Sequence, residues 1–183
     1  MRNIIFLVFL FSCISAAQDK IILTSTSIGN MHIEVGIEIS LYKIKNHFPL
    51  YKVTHQIASG DSPDFHLFSV STYDNENLIS FISFINESDG YEKSTVKLDE
   101  VIIHSSKVQD HYGVEPNMTI AQALKKRKGL KFGAGHMDNY FGNDKIWYMF
   151  SVNQLHGTQV SREVAINANP KIQSISWPIP WWR

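Results

Sequence analysis

The chain has 183 residues, of which 44% are apolar and 19% are charged. This share of apolar residues is enough for a hydrophobic core and too high for a disordered chain. Lys plus Arg and Asp plus Glu both number 17, so the chain lacks the basic excess of a typical nucleic-acid-binding protein. Its one cysteine excludes a disulfide framework and a four-thiolate zinc site. The length fits one domain.

The first 17 residues have the pattern of a secretory signal peptide. Arg2 supplies a positive charge, an unbroken apolar run extends from Ile4 to Phe11, and small residues follow directly. Such a run rises about 12 Å as a helix, far less than the roughly 30 Å of a bilayer core. The sequence therefore predicts a signal peptide over residues 1–17, an exported protein, and a single domain over residues 18–183.

Two processing routes fit this segment. Small residues at Ser15 and Ala17 favour cleavage before Gln18, which releases a soluble, cysteine-free product. Alternatively, the four residues that end at Cys13 resemble a bacterial lipobox, in which Cys13 is acylated and becomes the mature N-terminus. Phe11 departs from the small or β-branched residue usual at its position, so the first route is slightly favoured. The first route predicts a periplasmic or secreted protein, and the second predicts an outer-membrane-anchored lipoprotein.

Alternating and continuous apolar runs predict five strands in the first part of the mature chain. They are Lys20–Thr26, Tyr51–Ile57, Phe65–Thr72, Leu78–Ile85 and Val96–His104. Leu78–Ile85 is apolar on both faces, which is typical of a central strand covered on both sides. Between the first two strands, apolar residues recur at helical spacing from Ile37 to Phe48, and Pro49 ends this predicted helix.

The second part of the chain predicts one more helix and two more strands. The helix is Met118–Lys128, with Asn117 as its N-cap and Gly129 at its end. A flexible link at Gly133–Gly135, a strand at Lys145–Val152, a polar connection to Pro170 and a strand at Ile172–Trp177 complete the prediction. The result is an α+β domain with an antiparallel sheet of about six or seven strands and two short helices.

Five short segments follow one another in the order found in a known family. They are Leu23–Ser27, Val101–Ser105, Asp110–Val114, Met118–Thr119 and Ile175–Trp177. In these segments the chain resembles the small, stress-regulated envelope lipoproteins of Gram-negative bacteria, a family of unknown function. It departs from that family at Asn117, where a glycine is expected. The resemblance implies an exported, non-catalytic envelope protein and supplies no catalytic residues.

The sequence contains no motif that predicts catalysis or metal binding. None of its eight histidines falls in H-x-x-x-H, H-E-x-x-H or H-x-H, and no Gly-x-Ser-x-Gly occurs. His55 and His66 lie on neighbouring predicted strands and are expected close together, but two ligands do not make a metal site. His136 and Asp138 lie beside glycines, where a solvated loop is the simpler interpretation. We predict no catalytic residue, no metal and no cofactor.

Two segments are candidates for a binding surface. The first is the basic run at the end of the second predicted helix: Lys125, Lys126, Arg127 and Lys128. These cations either balance the helix dipole or meet an anionic partner. The second is the aromatic tail with Trp181 and Trp182, which either docks on the core or presents anchors to a partner. Docking is favoured, with Trp177 facing the core, because three exposed tryptophans would promote aggregation.

These observations favour an exported bacterial envelope protein that acts by binding and has no catalytic activity, for example an inhibitor or immunity-type protein. Its partner would be a protein or another envelope component, and not nucleic acid. The alternative is a small exported hydrolase whose active site the sequence does not reveal, and a third hypothesis is a secreted factor. A deep cleft with converging histidine and carboxylate groups would favour the enzyme.

Overall fold

The structure is a computed structural model that describes residues 20–59, 63–85, 91, 93–134, 139–151 and 160–178. Over these residues the chain forms 14 strands and three helices. The strands are β1 (Ile21–Leu23), β2 (Ser27–Ile28), β3 (Met31–His32), β4 (Glu38–Ile39), β5 (Lys52–Ala58), β6 (Phe65–Ser71), β7 (Asn77–Phe84), β8 (Val96–Lys97), β9 (Glu100–Ile103), β10 (Val108–Asp110), β11 (Lys131–Ala134), β12 (Asn139–Asn143), β13 (Ile146–Phe150) and β14 (Ile172–Trp177). The helices are α1 (Leu41–His47), α2 (Ile120–Lys126) and α3 (Arg162–Ala168). The predicted signal peptide, with Cys13, lies outside the described residues.

Eight strands form one antiparallel sheet in the order β11-β12-β13-β14-β9-β7-β6-β5. A four-stranded sheet has the order β10-β1-β2-β3, in which β1 and β10 are parallel, and β4 pairs with β8. The predicted α+β class with a largely antiparallel sheet is confirmed. The predicted numbers of strands and helices are wrong, because several strands have only two to five residues and carry no alternation of their own. Within the described ranges, no helix is long and apolar enough to cross a membrane.

The predicted strand Val96–His104 is two strands in two different sheets. β8 pairs with β4, whereas β9 pairs with β7 and β14. The backbone changes partner between the two: the Leu98 N–H donates to the carbonyl of Ile37 at 2.8 Å, and the next N–H, of Asp99, donates to that of Ile82 at 2.9 Å. The segment therefore connects the small sheet to the large one.

Helix α1 begins later than its apolar pattern predicts. The Ser40 hydroxyl accepts the backbone N–H of Lys43 at 3.2 Å and so caps the helix, while the residues before it belong to β4. The apolar stripe does face the core, since Ile44 is 0% exposed and Phe48 is 4% exposed. Pairing in a second sheet has overridden helical periodicity over the first turn.

Helix α2 is capped by Thr119 and not by Asn117, so the predicted N-cap is wrong. The Thr119 hydroxyl accepts the N–H of Gln122 at 3.3 Å, and the Gln122 side chain accepts the N–H of Thr119 at 2.7 Å. This reciprocal pair satisfies two free donors of the first turn. Asn117 instead adopts a left-handed φ of 74° in the preceding turn.

The structure adds elements that the sequence did not predict. Strand β12 and helix α3 lie in segments predicted to be irregular. The predicted flexible link is wrong at Gly133 and Ala134, which belong to β11. A Cβ atom at Gly133 would lie 2.5 Å from Cε2 of Tyr140 on the paired strand. This glycine therefore allows two strands to approach closely and does not act as a joint.

Strand β7 lies inside the large sheet and is covered on both sides, as predicted. This strand lies between β6 and β9, and its residues from Leu78 to Ser83 are buried on both faces. Trp177, at the end of β14, is 0% exposed, and its indole Nε1 donates to the carbonyl of Ser25 at 2.9 Å. The prediction that Trp177 faces the core is confirmed. Trp181 and Trp182 lie outside the described residues.

Candidate functional site: a cleft beside two histidines

Two histidines on adjacent strands form a hydrogen-bonded pair. The register places His55 of β5 opposite Phe68 of β6, and His66 opposite Ile57, so the histidines are diagonal neighbours on one face. Nε2 of His55 lies 3.0 Å from Nδ1 of His66, and the rings stack with centroids 5.3 Å apart. His55 also stacks on Phe68 with a centroid distance of 4.4 Å. The predicted proximity of the two histidines is confirmed.

The surroundings favour the neutral form of both imidazoles. Burial lowers the pKa of His55. Burial also lowers the pKa of His66, and the positive charges of His55 and Lys93 lower it further. In two neutral imidazoles, one ring nitrogen donates its proton to the unprotonated nitrogen of the other. The pair is therefore a neutral polar unit at pH 7.

Each histidine of the pair lines a cavity. His66 lines a cavity of about 390 Å³, whose polar side chains include Ser83, Lys97 and Asp99. His55 lines a second cavity of about 520 Å³, whose apolar wall includes Leu41, Tyr42 and Phe68. Lys93 and Thr95 line both. We name these two adjoining cavities the histidine cleft; their sizes are in the range of ligand sites.

The polar half of the histidine cleft carries charges of both signs. Oδ2 of Asp99 accepts the backbone N–H of Phe84 at 2.8 Å. Burial raises the pKa of Asp99, although the Phe84 N–H and the charge of Lys97 act in the opposite direction. Lys97 also faces Glu38 across the β4–β8 pair. These groups offer a ligand hydrogen-bond donors and acceptors without a large net charge.

The residue types of a catalytic triad occur in the histidine cleft, but their hydrogen bonds do not join them as a triad does. A serine hydrolase needs a histidine that contacts the serine and is oriented by a carboxylate. Here Nδ1 of His66 is hydrogen-bonded to His55. The carboxylate of Asp99 accepts the backbone N–H of Phe84. Among the described residues, no three His, Cys, Asp or Glu side chains are grouped so that they could hold a metal ion. The arrangement suits recognition of a ligand by hydrogen bonds and apolar contact.

The predicted basic surface loses one of its members. Lys125, Lys126 and Lys128 are exposed, but Arg127 is only 3% exposed. The inclusion of Arg127 in a binding surface is therefore wrong. Its guanidinium turns inward because it is surrounded by acceptors, and its Cζ lies 4.6 Å from the ring centroid of Tyr112.

Arg127 is the centre of a buried polar network. Nη1 donates to the Tyr148 hydroxyl at 3.0 Å and to the carbonyl of Ile146 at 3.2 Å, and Nη2 donates to the carbonyl of Asn143 at 3.0 Å. The Tyr148 hydroxyl in turn donates to Asp110, which is 0% exposed. Burial and the Asp110 charge raise the pKa of Tyr148. The network joins α2, β10 and β13, and its role is structural.

A second buried polar group lies at the junction of β9 and β14. Glu100 is 2% exposed, and its Oε1 is 2.7 Å from the hydroxyl of Ser176. That hydroxyl is also 3.0 Å from the carbonyl oxygen of Pro178. A hydroxyl has one proton to donate, so both contacts are satisfied together when Glu100 is protonated and donates to Ser176. Burial raises the pKa of Glu100 to about 7, which favours that form.

A serine and a histidine are in contact elsewhere on the sheet. The Ser80 hydroxyl of β7 lies 3.0 Å from Nε2 of His104, directly after β9, and accepts Nδ2–H of Asn77 at 3.3 Å. Burial lowers the pKa of His104, which favours the neutral, proton-accepting imidazole. Ser80 itself is 5% exposed and lies in the middle of a strand. His136 and Asp138, also considered from the sequence, lie outside the described residues.

Comparison with known proteins identifies the fold. No family model and no curated protein matches the chain. Among solved structures, it is similar to the crystal structure of the uncharacterized protein YfeY from Escherichia coli, with a TM-score of 0.59 and 14% sequence identity. The similarity covers 86% of this chain and 99% of YfeY. At this level of identity the likeness concerns the fold alone.

Proposed function

We propose that this chain is an exported, non-catalytic protein of the bacterial envelope that acts by binding a protein or another envelope component, as an inhibitor or immunity-type protein does. The signal-peptide pattern at its start and its resemblance to envelope lipoproteins support the location. The proposal includes a periplasmic, secreted or Cys13-anchored product and excludes nucleic acid as the partner.

The observation that carries the binding role is the histidine cleft. It combines an apolar wall with polar side chains of both charges, which is the usual composition of a recognition site. Its two imidazoles are hydrogen-bonded to each other through one ring nitrogen each, so these two nitrogens are engaged with each other and not with a nucleophile. We therefore assign the cleft to recognition rather than catalysis.

The test compares capture by the native chain and by a variant with a filled cleft. Thr95 is exposed and lines both cavities, so Thr95→Trp should obstruct the cleft while all its charged groups stay in place. Thr26→Trp is the matched control, because Thr26 is exposed and lines neither cavity. The immobilised variants are incubated with envelope extract. Binding that Thr95→Trp abolishes and Thr26→Trp preserves supports the proposal, and equal binding by both contradicts it.

The second candidate is a small exported hydrolase, and the contact between Ser80 and His104 favours it. A serine hydroxyl next to a neutral imidazole is the nucleophile and base of acyl-transfer enzymes. Against this stands the burial of Ser80 within a strand, since a nucleophile needs access to its substrate. A fluorophosphonate probe distinguishes the two functions. Labelling that Ser80→Ala abolishes would establish a reactive serine, whereas an unlabelled native chain favours the binding protein.

A further inference from the structure

Strand β5 forms one edge of the eight-stranded sheet. Among the residues that the structure describes, it pairs with β6 alone, in a continuous register over all seven of its residues. Proteins usually protect edge strands with proline, bulges, several charges or short length. β5 has none of these features except one charged residue, Lys52, at its start. Its residues from Thr54 to Ile57 are all exposed.

We propose that β5 is the interface of a symmetric dimer, in which two copies of this chain pair antiparallel through their β5 edges and form one continuous sheet. This inference goes beyond the proposed binding role and does not depend on it. An edge with unpaired N–H and C=O groups forms main-chain hydrogen bonds with any strand of compatible side chains. A dimer with two-fold symmetry uses the same edge of both copies, so this edge must be self-complementary in its side chains.

The side chains of β5 are self-complementary when two copies pair antiparallel in the register centred on His55. In that register Val53 lies opposite Ile57 of the second copy, and Thr54 lies opposite Gln56. Val53 and Ile57 are both β-branched, and such cross-strand pairs stabilise antiparallel pairing. The pairing would also cover Ile57, which is 39% exposed in a single copy. Lys52 lies opposite Ala58, and His55 lies opposite His55 of the second copy. Burial lowers the pKa of His55, which favours its neutral form, so this central pair does not oppose two like charges.

Charge variants of the outward face test this interface. Thr54 and Gln56 are exposed, so substitution there should leave the monomer folded. In Thr54→Lys/Gln56→Lys each new lysine lies opposite a lysine of the other copy, and two such pairs should weaken dimerisation about tenfold or more. Thr54→Glu/Gln56→Glu should do the same. An equimolar mixture of the two variants should restore the dimer, because every repulsive pair becomes attractive.

The measurement is sedimentation velocity from about 1 to 100 µM, since dimerisation depends on concentration. We expect the native chain to approach twice the mass of one chain over this range. Asn167→Lys/Gln173→Lys, with the same charge change at exposed positions on α3 and β14, is the control and should remain dimeric. A native chain that stays monomeric overturns the proposal. So does a Thr54→Lys/Gln56→Lys variant that dimerises as the native chain does, or a mixture that stays monomeric.

Discussion

The buried carboxyl of Glu100 should make the protein less stable as the pH rises. In the folded chain its pKa is raised to about 7 from the ordinary value of 4.5, with burial as the main cause. The folded state therefore prefers the neutral carboxyl, while the unfolded chain releases the proton at lower pH. The stabilisation by neutral Glu100 is complete below about pH 4.5 and is lost as the pH rises through about 7.

The size of this effect follows from the two pKa values. Their difference corresponds to about 3 kcal/mol of unfolding free energy. Glu100→Gln keeps the shape of the side chain and offers Ser176 an amide N–H in place of the carboxyl O–H, but it cannot ionise. The variant should therefore be close to the native chain in stability at about pH 4 and more stable by about 3 kcal/mol at about pH 9. Other titrating groups are common to both chains and cancel in the difference.

Urea unfolding at several pH values measures the prediction. Glu34→Gln is the control, because it makes the same substitution at a side chain that is 69% exposed. The quantity of interest is the stability difference between Glu100→Gln and the native chain. A difference that does not change between about pH 4 and pH 9 would show that Glu100 ionises as easily in the folded chain as in the unfolded one.

Three further predictions follow from the same structure. Trp177→Ala should lower the free energy of unfolding by about 3 to 5 kcal/mol, because it empties a fully buried position; equal urea midpoints for the variant and the native chain would contradict this. Arg127→Met should cost about 3 kcal/mol or more, because it leaves buried partners of the guanidinium unsatisfied. The exposed neighbour Lys128→Met should change stability by less than about 0.5 kcal/mol, and equal effects of the two would refute the network. The intact mass of the mature protein should correspond to a start at Gln18 or at acylated Cys13, and a retained initiator methionine would refute the proposed export.

The sequence predicted the long strands and missed the short ones for a physical reason. β6, β7 and β14 carry their own alternating or continuous apolar patterns, so their pattern alone identifies them. β12 contains asparagine and glycine, which are typical of turns, and it is a strand only because β11 and β13 pair with it. In α3 only Ala165 is buried, so the helix shows no apolar stripe.

The candidate site was predictable only where its residues are local. The hairpin register alone brings His55 and His66 together. Lys93 and Asp99 reach the same cleft from a loop and a strand junction further along the chain, and no pattern in the sequence connects them to the histidines. Arg127 was misplaced because its position at the end of a helix indicates solvent exposure, whereas its acceptors come from β13 and from the end of β12.

The place of β14 in the large sheet has a consequence for when the chain can fold during its synthesis. β14 follows every other described strand in sequence, yet it lies between β13 and β9 and joins the two halves of that sheet. A nascent chain that lacks residues 172–177 cannot complete its central hydrogen-bond ladder. Completion of the large sheet is therefore delayed until synthesis has passed these residues, so the order of the strands along the chain favours folding after synthesis over folding during it.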